Sequence, residues 1–273
     1  MRRLVWRGAV SGAVALLLCL LAFPLVSLVV RLSPGELWSQ LAQPVVLDAL
    51  RLSFETSVAT TVVVVLLGLP VAYLLATREF RGKRVVQTLV EIPIVLPPTV
   101  AGVGLLLAFG RAGLAGGALR ALGIELPFTT LAVVVAQVFV ATPFFISAAT
   151  AGIGAVERRY TDTAATLGAT PGYGFFRVLL PLALPSVLAG AAMSWARALG
   201  EFGATITFAG NLPGRTQTMP LAVYTALQSD LAAAVALSVL LVILSFTILL
   251  GLRFAPWGAA VGGGGIRAGS RRR

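Results

Sequence analysis

The chain has 273 residues, 58% of them hydrophobic and only 11% charged, and its mean hydropathy is +0.95. Soluble domains carry about 45–50% apolar and about 25% charged residues, so an ordinary water-soluble enzyme is excluded, and disorder fails because it needs too little apolar content. The absence of histidine and a single cysteine, Cys19, leave no His/Cys cluster for zinc, haem or iron–sulfur chemistry and no intrachain disulfide.

A bilayer core about 30 Å thick takes about 20 apolar residues in a helix. Runs of that kind lie near residues 9–30, 53–76, 88–109, 129–150, 184–208 and 231–252. They predict an all-α integral membrane protein with six transmembrane helices. Residues 1–252 then form one membrane domain, and 253–273, rich in glycine and ending in three arginines, a flexible basic tail.

Six spans put both termini on one side, and fifteen of the 21 Lys and Arg residues fall there, in the start, the 77–87 loop, the 151–183 loop and the tail. Five lie on the other side, and Arg197 lies inside the fifth span. This bias predicts cytoplasmic termini and accounts for the net charge of +11 without a nucleic-acid partner. The first span has a rival reading as a cleaved signal peptide, but its apolar run is long for one and no A-x-A site follows.

In the third span Pro97 and Pro98 remove two backbone donors, which bends or unwinds a helix and makes this a packing kink or a gate hinge. The outer loops hold turn formers but no long periodic segment. The loop 151–183 differs. Tyr160, Ala164 and Leu167 recur at helical spacing, Gly168 is a suitable stop, and Thr170-Pro171 read as N-cap and first residue of a second helix running to Pro181. Such a helix–Gly–helix element either rests on lipid headgroups or docks a soluble partner.

The charged residues within spans are Glu55, Glu91, Glu201 and Arg197. A charge at mid-bilayer costs about 2.5–3.5 kcal/mol on insertion scales, so each must meet protein, water or an opposite charge. Glu55 and Glu91 sit near span ends, within reach of water. Arg197 and Glu201 are four apart and able to pair, and Ser194, Arg197, Glu201, Thr205 and Phe208 form one stripe on the fifth span. The stripe is either a structural ion pair or the lining of an anion path.

No Gly-x-x-x-x-Gly-Lys-Ser/Thr stretch occurs, so ATP phosphates are not cradled in the Walker manner by this chain. Nor is there a nucleophile–base pair: histidine is absent and the single lysine, Lys83, lies in a loop.

The segment from Asp162, Thr163, Ala164 through Gly168 and Ala169 to Phe176 and Leu180-Pro181 resembles the "EAA" loop of ABC importer permeases, with Asp162 in place of the Glu and Thr163 in place of the first Ala. Trp195 to Phe208, then Ala209-Gly210-Asn211-Leu212-Pro213-Gly214, together with Ile94 to Gly102 and Gly110 to Leu114, resemble the molybdate permease family over about residues 50–250. Sulfate permeases are related and often carry Glu-Tyr-Gly where this chain has Glu201-Phe202-Gly203.

The resemblance implies a type I ABC importer permease fold with cytoplasmic coupling helices, in the plasma membrane of a prokaryote. It also implies a homodimer, two ATPase subunits that bind ATP and Mg and dock on the 151–183 loop, and an external oxyanion-binding protein. No cofactor in this chain itself is implied. The cargo it implies is molybdate or the near-isosteric tungstate, with sulfate or thiosulfate as the alternative. A stand-alone secondary carrier competes with this reading, but no convincing internal repeat relates residues 1–130 to 131–260.

Overall fold

The computed structural model describes residues 2–30 and 34–254; the basic tail expected from 253 onward lies outside them from residue 255. In chain order the helices are α1 (Arg2–Val30), α2 (Pro34–Leu41), α3 (Pro44–Thr77), α4 (Lys83–Val95), α5 (Pro98–Phe109), α6 (Gly116–Ala121) and α7 (Thr130–Gly154). They continue with α8 (Arg158–Thr166), α9 (Pro171–Gly174), a π-helical turn (Phe175–Leu179), α10 (Leu180–Leu199), α11 (Gly203–Phe208), α12 (Met219–Ser229) and α13 (Leu231–Phe254).

Five of these stretches are long and apolar enough to cross a membrane: Ala9–Val30, Pro44–Thr77, Thr130–Gly154, Pro171–Leu199 and Leu231–Ile248. The third expected span is not straight. It is the pair α4 and α5, bent by 117°, because Pro97 and Pro98 deny two amides to the helix and Leu96 turns to an extended backbone. The fifth also departs from expectation, since the helix ends at Leu199 and resumes at Gly203. The outer connections, expected to hold turn formers but no long periodic segment, contain three helices among the described residues, of which α12 is the longest.

The packed centre is α3, α7 and α10. Phe145 of α7 is fully buried among Val64, Ala72 and Leu75 of α3 and Ala183 and Val187 of α10. Gly68 and Gly190 flank its ring, and a Cβ at Gly68 would lie 2.7 Å from Phe145 Cδ1; such small residues let membrane helices approach closely. In the other half of the bundle, α5, α7 and α11 share a second cluster around Phe208, and α3, α12 and α13 a third around Met219. The large apolar side chains turned outward, such as Leu66 and Leu67, suit a surface solvated by lipid. In α1 none of the spanning stretch is buried.

Candidate functional site: a broken helix at one end of α10 and a hairpin at the other

Gly200 ends α10 and the chain turns through Glu201 and Phe202 before α11 begins. Glu201 is 1% exposed and its two oxygens do different work. Oε1 accepts a hydrogen bond from the Ala204 amide at 2.7 Å, satisfying a first-turn donor of α11. Oε2 forms an ion pair with Arg197 Nη1 at 2.6 Å, without the alignment of a hydrogen bond. The pair expected from the sequence therefore exists, but Glu201 stands outside the helix that carries Arg197. Its carboxylate bridges two helices rather than lying on one stripe.

The Arg197 side chain remains 27% exposed, so its guanidinium keeps access beyond Glu201. Ser194 and Thr205 are fully buried, and neither hydroxyl has a protein partner among the described residues. A buried polar group left unpaired costs about 1–3 kcal/mol, which makes these hydroxyls the part of the site with unused bonding capacity.

The two helix breaks meet. Gly203, the first residue of α11, lies against Pro98, where a Cβ would be 2.7 Å from the Pro98 Cβ. One turn further, a Cβ on Gly102 would be 2.6 Å from Thr207 Cβ and 2.9 Å from the Ala204 carbonyl oxygen. Thus α5 and α11 run side by side from neighbouring starts, and the segments around Pro97-Pro98 and Glu201-Phe202-Gly203 form one seam. Nothing in the sequence spacing put these two segments together.

At the other end of α10, about 30 Å away at 1.5 Å per residue, the hairpin forms as expected. Gly168 has φ +85°, a conformation that favours glycine, and the Thr170 hydroxyl accepts from the Tyr173 amide to start the second helix at Pro171. This second helix does not stop at Pro181: it passes through the π-helical turn into α10, giving one helix from Pro171 to Leu199. Asp162, Thr163 and Phe176 are exposed, Ala164 and Ala169 half-buried, and Pro181 exposed. Phe175 is held by an edge-on contact with Tyr73 of α3, centroids 4.9 Å apart.

Of the other charged membrane residues, Glu55 pairs with Arg51 at 2.7 Å on an exposed face, and Glu91 is exposed on α4. Sequence reasoning missed a second buried polar line: Ser53, Thr56, Ser57 and Thr60 on α3. Its signal was the helical spacing of these hydroxyls. Thr60 Oγ1 donates to Gln137 Oε1 of α7 at 3.0 Å, and Ser53 Oγ accepts from the Met219 amide at the start of α12 at 2.7 Å.

An all-helical bundle with two interrupted helices in contact, an intramembrane ion pair at the interruption and an exposed two-helix protrusion defines a membrane transport subunit. Residues 65–253 match the family described as binding-protein-dependent transport system inner membrane component, and the chain belongs to that family. It is a permease subunit, a membrane component rather than an enzyme. The molybdenum transport system permease protein ModB of Mycobacterium tuberculosis is 44% identical over 92% of this chain and 93% of that protein. The molybdate/tungstate transport system permease protein WtpB of Pyrococcus abyssi is 39% identical over 61% of this chain and 62% of that one. Among solved structures, a bacterial alginate ABC transporter in complex with its pentasaccharide-bound periplasmic protein has a chain matching with TM-score 0.75 at 14% identity, covering 92% of this chain and 93% of its own. That likeness establishes the type I importer fold.

Proposed function

We propose that this chain moves molybdate, or the near-isosteric tungstate, across the plasma membrane of a prokaryote as the permease of an ATP-driven importer. The observation that carries the cargo is the 44% identity with the molybdenum permease over nearly the whole chain. The site supports an oxyanion: Arg197, 27% exposed, keeps guanidinium donors beyond the one that pairs with Glu201, and the buried, unpartnered hydroxyls of Ser194 and Thr205 can donate once movement of the helices uncovers them. Glu201 offsets part of the positive charge, which suits passage better than tight capture.

Two copies of the chain form the path, with both termini cytoplasmic. Two ATPase subunits, which bind ATP and Mg, dock on the hairpin from Arg158 to Pro181, and an external binding protein delivers the anion. No cofactor is held by this chain. The helix from Pro171 to Leu199 is the lever, since its first turns belong to the hairpin and its last carry Arg197 to the seam with Pro97-Pro98. ATP-driven approach of the two hairpins opens the path outward, and hydrolysis returns it inward.

The test is uptake by the complex reconstituted with its ATPase and binding protein, with molybdate, tungstate and sulfate in competition. Molybdate and tungstate compete with each other and sulfate does not; equal competition by sulfate overturns the cargo assignment, and uptake by this chain alone overturns the ATP-driven mechanism. A cysteine at Arg159 is expected to be labelled only from the cytoplasm.

A further inference from the structure

One charged surface has no part in that mechanism: the turn between α3 and α4. Arg78, Arg81, Lys83 and Arg84 fall within seven residues there. A cavity of about 630 Å³ opens at this turn, walled by Glu79, Phe80, Lys83, Arg84 and Val85 among others. Lys83 Nζ pairs with Glu79 Oε1 at 2.7 Å, so these two charges answer each other. Arg81 and Arg84 are exposed and make no ion pair among the described residues. Lys83 lowers the pKa of Glu79, and Arg158, the first residue of α8, contributes to the same shift. The surroundings of the cavity are therefore net positive.

The helix that leaves this basic turn has two apolar sides. Val86 and Val90 pack on the core around Phe145. Val85, Leu89 and Ile92, at i, i+4 and i+7, face outward and are 61%, 60% and 39% exposed. No residue of α4 is fully buried. Basic groups at the end of a membrane helix, continued by an apolar stripe along it, match the two parts of a phospholipid with an anionic headgroup. An acidic protein or a free phosphate would use the arginines alone, whereas a lipid engages the arginines and the stripe that continues from them.

We propose that the α3–α4 turn binds an anionic phospholipid, with its phosphate at Arg81 and Arg84 and its acyl chains along Val85, Leu89 and Ile92. The site is independent of which oxyanion the permease carries.

The test uses the full chain in bilayers of equal dioleoylphosphatidylglycerol and dioleoylphosphatidylcholine, with retained lipid counted by native mass spectrometry. The wild-type chain keeps phosphatidylglycerol in preference to phosphatidylcholine. Arg81→Gln with Arg84→Gln lowers that preference by about 25-fold, since each basic residue near an anionic lipid surface is worth about a fivefold change. Arg81→Lys with Arg84→Lys retains most of it, and Arg51→Gln in the other half of α3 leaves it unchanged. Equal retention of both lipids by the wild-type chain overturns the proposal, as does an undiminished preference in the double glutamine variant. Displacement of the lipid by excess inorganic phosphate would make this a free-anion site instead. A double glutamine variant that loses its ATPase partner while keeping the lipid preference would make it a protein contact. Either result sinks the lipid assignment.

Discussion

The two ends of α10 are built on opposite terms. At Gly200–Gly203 the chain completes its own bonding: Glu201 is buried, one oxygen closes an ion pair and the other caps the next helix. At the hairpin only the backbone is completed, by the positive-φ turn of Gly168 and the Thr170 cap. The side chains there stay open, with Leu167 83% and Phe176 65% exposed. A break buried in the bundle must neutralise its charge and pair its freed backbone locally, because no water replaces a lost partner, and only the Ser194 and Thr205 hydroxyls among its described polar groups are left without a bond or an ion pair. A protrusion in water has no such obligation and keeps its apolar side for another molecule. Substitutions at the break are therefore expected to cost stability first, and those at the hairpin to cost coupling first.

The largest expected effect is at the latch. Glu201→Ala leaves Arg197 without its counter-ion and the Ala204 amide without an acceptor, and should destabilise the chain by about 3 kcal/mol, discounted for the partial exposure of Arg197. Glu201→Gln keeps an acceptor for the amide and should lose about half as much. Thermal unfolding in detergent measures both, and equal losses would mean that the charge, not the cap, carries the break.

Next comes the seam. Gly203→Val drives a side chain into Pro98 and should cost about 2 kcal/mol by overpacking. An unchanged Tm would show that α5 and α11 separate easily there.

Gly168→Val places a β-branched residue at φ +85° and should cost about 1–2 kcal/mol locally. Its main effect is expected in function: insertion and yield stay near wild type while ATP hydrolysis no longer responds to the permease. If ATPase stimulation survives, the hairpin is not the coupling element, and the contrast between the two ends falls.

The smallest effect is expected at Glu79. Lys83 holds this carboxyl below the ordinary carboxylate range, so its folded pKa lies below the unfolded one. Any stability it contributes is present above the ordinary range and lost as pH falls through the depressed value. The group is fully exposed, so Glu79→Gln should shift the unfolding midpoint negligibly at neutral pH. A large shift would mean that the α3–α4 turn is tied to the hairpin through Arg158 more tightly than its exposure allows.

How far each element was legible follows from the range of the forces behind it. The hairpin was readable residue by residue, because Gly168, Thr170 and Pro171 act on their own turn of backbone. The spans were readable as apolar runs, but their interruptions were legible only in part. Pro97-Pro98 marked one break, whereas the stop at Leu199 has no proline and depends on Glu201 finding both Arg197 and the Ala204 amide. The helix α12 went unread because it is 11 residues long and its start depends on a hydroxyl, Ser53, far away in the chain.

Composition and charge order alone determined a membrane protein with six apolar runs and a basic side, since transfer to lipid is paid residue by residue and does not depend on neighbours. Local motif determined the hairpin, and resemblance its family. What only the tertiary structure decided is the meeting of the two broken helices. Gly102 and Gly203 stand in the sequence as members of two separate motifs, and which neighbour each one's missing Cβ admits follows only from the packing of α5 on α11. The role of Glu201 was decided the same way, because a carboxylate four residues from an arginine can be a surface pair or a buried latch, and burial alone makes it the second.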